Sequence, residues 1–315
     1  MNGVINIYKD KGYTSFHVVA VLRHFTGEKK VGHTGTLDPD ATGVLPVCIG
    51  KATKLVGQLT DTDKVYRAGM LLGKRTDTQD ISGEILEEMP EEEVRAKVTE
   101  EGLIKAFEAL TGEIEQVPPM YSAVKVGGVK LVDAARKGKV LERETRKVTV
   151  YGYSDVEIKL DELKVDFSVE CSKGTYVRTI CEDIGNILGV PACLYSLERT
   201  RAAGVGLEET ITLEQVEKLA QEGRLGEYII PTDRFLLDYP YAVVNDEAVK
   251  RLIFGNYMYR EDMDTVSSGP DNIPGERAQL FREGVFRIYD RAGEFYALYR
   301  YDAADECYKC EKMFK

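Results

Sequence analysis

The chain has 315 residues, 43% of them hydrophobic and 30% charged, with a formal net charge of −11. That length predicts two domains, and the composition excludes a disordered, fibrous or disulfide-rich chain. No apolar run approaches the roughly 20 residues of a membrane span, and MNGVINIYKDKG holds no basic-then-apolar leader, so a cytoplasmic protein without membrane association is expected.

In chain order, VINIY reads as a short strand, and Thr14 and Ser15 offer N-caps for an amphipathic helix to about Phe25. From Gly32 to Gly43, three glycines, a proline and two aspartates predict an irregular loop. GVLPVCIG and KVYRAGMLLG read as buried strands with a helix around ATKLVGQL between them. Apolar residues at Val94, Val98, Ile104, Phe107 and Leu110 give near-helical spacing over Glu91 to Leu110. A basic segment broken by Pro118, Pro119, Gly127 and Gly128 follows. VTVYGYSDVEI and LKVDFSVEC are predicted strands, a helix runs from about Tyr176 to Leu188, and ACLYSLERT is a strand. After a polar helix near ITLEQVEKLAQEG the character changes close to Pro231. From there LFREGVFRIYDRAGEFYALYRYD alternates like a small β-rich unit, placing a domain boundary near residue 233.

An acidic total argues against indiscriminate nucleic-acid binding, but the charge is segregated. Glu84 to Glu101 carries a net −6, and Pro118 to Val150 a net +5. That pattern fits one basic face for phosphates on an acidic body. The six cysteines are expected as thiols. Cys307 and Cys310 form a CxxC, but the three histidines lie far away in sequence, so ordinary strand thiols are expected rather than a metal site.

IGKAT tempts a phosphate-loop reading, but Leu45 stands where the pattern needs glycine and Ala52 where it needs Ser or Thr. What remains is TLDPDATG. Taken alone, Asp38 before Pro39 reads as an Asx-turn. Against that, the loop lies between a helix and a strand and carries His33, Thr34 and Thr36, small and polar residues that let a planar ligand approach. In CSKGTYVRTICEDIG, Tyr176 and Arg178 fall in the first turn of a helix. Arg178 is either an exposed helix residue or a guanidinium forked onto a buried carboxylate. Tyr66 is either a core aromatic or a stacking face with a phenol able to exchange a proton.

Together, GHTGTLDPDATGVLPVCIGKATK, DKVYRAGMLLGKRTDTQDISG, PPMYSAVKVGG, CSKGTYVRTICEDIG and the LERT strand closely resemble the TruB family of tRNA pseudouridine synthases. They run in family order and cover most of residues 1–204. The resemblance implies an α+β pseudouridine synthase fold: a mixed, mainly antiparallel sheet flanked by helices and loops, with a C-terminal β-rich PUA-like domain. Residues 1–233 would form the catalytic domain, with a basic RNA-contacting insertion over about 118–148, and residues 234–315 the RNA-binding module. It implies conversion of uridine 55 in the tRNA T-loop to pseudouridine by base flipping, without cofactor or metal. Asp38 falls on the family's nucleophile, Tyr66 on its active-site tyrosine and Arg178 on the arginine that pairs with the aspartate and keeps it ionised. His33, Lys9, Thr36, Tyr176, Leu197, Lys125 and Arg136 are the expected substrate and RNA contacts. The implied partner is the tRNA T-stem-loop, with no obligate protein partner, and a monomer is expected. The sequence departs from the family at Asp10, where the lysine motif has proline, and at Val132, where a tyrosine is common.

Three rivals stand beside this reading. A non-catalytic RNA-binding relative is disfavoured by the intact Asp38, Tyr66 and Arg178 set. A nucleoside hydrolase or glycosylase would need metal-binding Asp clusters that the sequence lacks. A guide-RNA-dependent relative would be more basic overall.

Overall fold

A computed structural model describes residues 1–267 and 284–315. Strand β1 (Gly3–Lys9) leads into helix α1 (Ser15–Thr26), whose first turn is capped by the Thr14 hydroxyl accepting from the His17 N–H. Gly27, at φ +68°, ends it in the left-handed conformation that glycine reaches without a Cβ penalty. Strands β2 (Val31–His33) and β3 (Thr42–Ile49) follow, so the expected loop is shorter than Gly32 to Gly43: Gly32 and His33 pair with Cys48 and Val47. A 3₁₀ turn over Gly50–Leu55 and helix α2 (Val56–Thr60) lead to β4 (Lys64–Leu72).

The hairpin β5 (Lys74–Thr76) and β6 (Ile85–Glu88) precedes two helices, α3 (Glu91–Lys97) and α4 (Glu100–Ala109). The sequence predicts one helix here. The chain breaks it because Val98 is extended and Thr99 N-caps α4, its hydroxyl accepting from the Gly102 N–H. Then come β7 (Gly112–Gln116), the two-residue strands β8 (Lys125–Val126) and β9 (Val129–Lys130), and the short helix α5 (Leu131–Ala135). Strands β10 (Arg146–Lys159) and β11 (Lys164–Cys171), helix α6 (Val177–Leu188), strands β12 (Ala192–Ala202) and β13 (Val205–Gly206), and helix α7 (Leu213–Gln221) complete this part.

Among the described residues nine of these strands form one sheet in the order β1-β3-β12-β4-β11-β10-β7, with β2 on β3 and β13 on β12, while β5–β6 and β8–β9 are separate hairpins. Its pairings are antiparallel except β3 with β12, which run parallel through Thr42 opposite Glu198 and Gly43 opposite Arg199. At that crossing Gly43 has φ +101°, and a Cβ there would lie 2.2 Å from the Arg199 carbonyl oxygen. Only glycine allows so close an approach, and it sets Leu197 and Arg199 beside the loop that precedes β3. Two apolar clusters bury the sheet. One holds Phe107, Phe167, Ile180 and Ile184 from α4, β11 and α6; the other holds Val18, Leu22, Leu45 and Val216 from α1, β3 and α7.

The later residues give strand β14 (Tyr241–Val244), helix α8 (Asp246–Leu252) and strands β15 (Met263–Ser267), β16 (Val285–Tyr289), β17 (Phe295–Asp302) and β18 (Cys307–Met313). They form a five-stranded sheet in the order β15-β14-β16-β17-β18. The expected β strands are found from Val285 onward, though three successive residues in β16 and four in β17 are buried rather than alternating; Leu280 to Glu283 lie outside the described residues. Cys307 and Cys310 are free thiols in β18. A shared apolar cluster, with Val4, Cys48 and Leu55 on one side and Leu236, Leu298 and Phe314 on the other, joins the two sheets. No described helix is long and apolar enough to cross a membrane.

Candidate active site

The Asp38 loop is pinned from beneath. The Ser15 hydroxyl, at the start of α1, accepts from the Leu37 N–H at 2.9 Å and donates to the Leu37 carbonyl at 3.1 Å. The Lys9 ammonium donates to the carbonyls of Tyr13 (2.7 Å), Asp10 (3.0 Å) and Pro39 (3.1 Å). The Asp38 carbonyl accepts from the Ala41 N–H, closing a tight turn that presents the carboxylate upward. Asp40, on the same turn, lines a smaller pocket together with Asp38, Asp80 and Arg178. Lys9 therefore departs from the RNA-contacting expectation: its side chain is fully buried and its ammonium is spent on backbone carbonyls. Burial lowers its pKa to about 8, opposed by the charges of Asp38, Asp40 and Asp10.

Arg178 projects from the first turn of α6 and is almost wholly buried, with 6% of its side chain exposed. Its Nη2 lies 3.1 Å from Asp38 Oδ2 and also donates to the Tyr121 carbonyl at 2.9 Å. Its Nη1 donates to the Thr78 carbonyl at 2.9 Å and stands 3.5 Å from Asp80 Oδ2. The ion pair expected from sequence is present, through one nitrogen rather than a two-pronged fork. The second carboxylate, Asp80, completes a chain Asp38–Arg178–Asp80 that sequence reasoning misses. Asp80 is itself oriented by the Thr78 and Ser82 hydroxyls and the Ser82 N–H.

Asp38 keeps 44% of its side-chain surface open, but into a cleft crowded by protein. Burial raises its pKa above the ordinary carboxylate value; Arg178 and Lys9 pull it down, and Asp80 and Asp40 push it up. Arg178 thus offsets only part of the desolvation. The lowering expected from Arg178 is present, but burial is the larger effect.

The cleft, about 530 Å³, joins Asp38 to Thr36, Tyr66, Tyr176, Arg178 and Leu197. Tyr66 reaches it from β4, between Val169 of β11 and Arg199 of β12. Tyr176, the residue before α6, is held by Gln116: its N–H donates to Gln116 Oε1 and its carbonyl accepts from Nε2. Arg146 and Lys147, from the basic segment the sequence predicts, line the cleft together with Lys173 and the buried Lys64, which the sequence does not single out. Lys125 and Arg136 are exposed on the insertion but do not line it. His33 sits one strand earlier, its Nδ1 accepting from the Gly35 N–H at 3.3 Å, outside the cleft lining. Burial, then the nearby Arg199 charge, lower its pKa and favour the neutral imidazole.

Asp38, sharing a buried arginine with Asp80 in a cleft lined by tyrosines and basic residues, fits acid–base and nucleophilic chemistry on a planar base. No group of described residues is arranged to hold a metal ion. Residues 23–177 match the model of the TruB family pseudouridylate synthase N-terminal domain, and residues 178–237 the tRNA pseudouridylate synthase B C-terminal domain. The chain is 40% identical to the tRNA pseudouridine synthase B of Clostridium perfringens strain SM101 over 99% of both chains. It is 43% identical to that of Lachnoclostridium phytofermentans over the full length of both. Among solved structures it is similar to the crystal structure of a Cbf5-Nop10-Gar1 complex, with 27% identity, a TM-score of 0.67, and coverage of 99% of this chain and 85% of the other. The molecule is thus a pseudouridine synthase, an isomerase with an α+β fold. It belongs to the TruB family.

Proposed function

We propose that the protein isomerises uridine 55 in the T-loop of tRNA to pseudouridine, with Asp38 as nucleophile. The observation that carries this is the Asp38–Arg178 pair, 3.1 Å apart at the floor of a cleft that also holds Tyr66. A stacked uridine cannot reach such a floor, so the nucleotide is extruded at a cost of a few kcal/mol. Stacking on Tyr66, about 1–3 kcal/mol for a base on an aromatic ring, and phosphate contacts with the basic residues of the cleft offset that cost. Asp38 then attacks C6 of the ring or C1′ of the ribose, or acts through a glycal-type elimination. The glycosidic bond breaks, the uracil turns in place and C5 joins C1′. Tyr66 accepts the proton that C5 must lose, and Tyr176 and Leu197 bound the base.

Residues 1–233 would act as the catalytic unit and residues 234–315 as an RNA-binding module. The insertion over 118–148, with exposed Lys125 and Arg136, would close on the tRNA. Cbf5 is solved in complexes with Nop10 and Gar1; this acidic chain is proposed to act alone, as a cytoplasmic monomer on tRNA without guide RNA. Mapping pseudouridine in a tRNA transcript incubated with the pure protein tests the reading. Modification at position 55 without added RNA or protein supports it; free uracil as product, or dependence on a guide, contradicts it.

A further inference from the structure

Arg199 is among the largest fully buried side chains of the molecule, 1% exposed, and no carboxylate lies within ion-pairing distance of it among the described residues. An arginine cannot shed its proton, so this cation must be held by polar groups. Its Nε donates to the Val44 carbonyl at 2.8 Å and its Nη2 to the Gly35 carbonyl at 3.2 Å, in the strand and loop that flank Asp38. Across the β4–β12 pairing its register partner is Tyr66. Both side chains line the Asp38 cleft, where the guanidinium charge acts on the phenol. The mechanism proposed for uridine isomerisation gives Arg199 no task.

We propose that Arg199 is a positioning residue that acts through Tyr66, tying the phenol to the Asp38 loop and lending it positive charge so that it can take the C5 proton. The inference rests on the reading of Tyr66 as proton acceptor. Burial raises the Tyr66 pKa and Arg199 opposes it, while Cys171 from β11 and Asp38 from the loop add to the rise. Lys64, on the same strand as Tyr66, adds a second cation beside Arg199. The balance of the step is simple. The phenol releases its proton to solvent, and the phenolate oxygen bonds the C5 proton. The C–H electron pair becomes the C5–C6 double bond as the C6–N1 π pair moves onto N1, or, after attack at C6, as the Asp38 carboxylate leaves C6, and N1, freed from C1′, takes a proton from solvent.

The test combines Arg199→Lys, Tyr66→Phe and the double variant, assayed in single turnover on tRNA carrying uridine or 5-deuterouridine. Arg199→Lys should lower turnover about 10- to 100-fold, within the range of general-base contributions, leave KM near that of the unmodified protein, and expose a primary isotope effect at C5. In the Tyr66→Phe background the same change should cost almost nothing further. Equal losses in both backgrounds, or no isotope effect, overturn the proposal and leave Arg199 a structural residue. Full turnover by Tyr66→Phe would instead overturn the proton-acceptor reading on which it rests.

A second measurement uses the intact protein, in case Arg199→Lys does not fold. In ¹³C spectra of the tyrosine rings, with Tyr66 assigned by its loss in Tyr66→Phe, Tyr66 should titrate at lower pH than Tyr153. Tyr153 is raised by burial with Cys181, Cys171 and Asp183 beside it and no cation. Tyr66 titrating above Tyr153 overturns the proposal.

Discussion

Arg178 Nη2 lies 3.1 Å from Asp38 Oδ2, while its Nη1 lies 3.5 Å from Asp80 Oδ2, so one buried guanidinium is shared by two carboxylates. Because Arg178 also donates to the Thr78 and Tyr121 carbonyls, its position is fixed independently of either acid. The arginine therefore aims Asp38 rather than merely neutralising it.

This arrangement fixes the sign of the acid limb. As the proposed nucleophile Asp38 would attack as the carboxylate, so turnover should fall as pH drops through its pKa, which burial holds above the usual carboxylate range. Removing the Arg178 charge in Arg178→Met moves that limb to higher pH and, by freeing the carboxylate to swing, lowers turnover about 100-fold. Asp80→Asn removes a charge that raises the Asp38 pKa, so it moves the limb to lower pH. Rate profiles over pH for both variants check the opposite displacements.

Lys9 gives a stability prediction. Lys9→Met leaves three carbonyls without their donor, and unsatisfied buried groups cost about 1–3 kcal/mol each. Thermal or urea unfolding should show a clear loss of stability, while the salt dependence of tRNA binding stays that of the unmodified protein. A reduced salt slope with unchanged stability would restore Lys9 as an RNA-binding residue.

The insertion gives a binding prediction. Neutralising Lys125 and Arg136 together should weaken tRNA binding and reduce the slope of log affinity against log salt by about 0.7–1 for each phosphate that is no longer neutralised. Single-turnover rates at saturating tRNA should change little, since neither residue lines the Asp38 cleft. Filter binding across a salt series measures it.

Local signals carry much of the fold. Thr14 and Gly27 bound α1 where capping chemistry places the ends, and the strands from VINIY to ACLYSLERT stand near their apolar runs. The break between α3 and α4 is hidden because the apolar spacing continues across Val98, and only the Thr99 cap reveals it. Asp38, Arg178 and Tyr66 are legible through motif resemblance, and the structure brings them together. Asp80 and Arg199 lie in the same motifs, yet the sequence does not mark them out. Their roles depend on non-local contacts, Asp80 reaching α6 and Arg199 pairing with Tyr66 across a β12 register that shifts near Arg199. Lys9 misleads for the same reason: the motif resemblance makes it an RNA contact until the folded loop is seen to wrap its ammonium.

The proposed chemistry stands or falls with Asp38 as the nucleophile. Asp38→Asn preserves the size of the side chain but removes its charge, and it should fold and bind tRNA nearly as the unmodified protein does. Chemical mapping of a tRNA transcript after prolonged incubation with this variant should then show unmodified uridine at position 55. Pseudouridine accumulating there at an appreciable rate would contradict that role for Asp38.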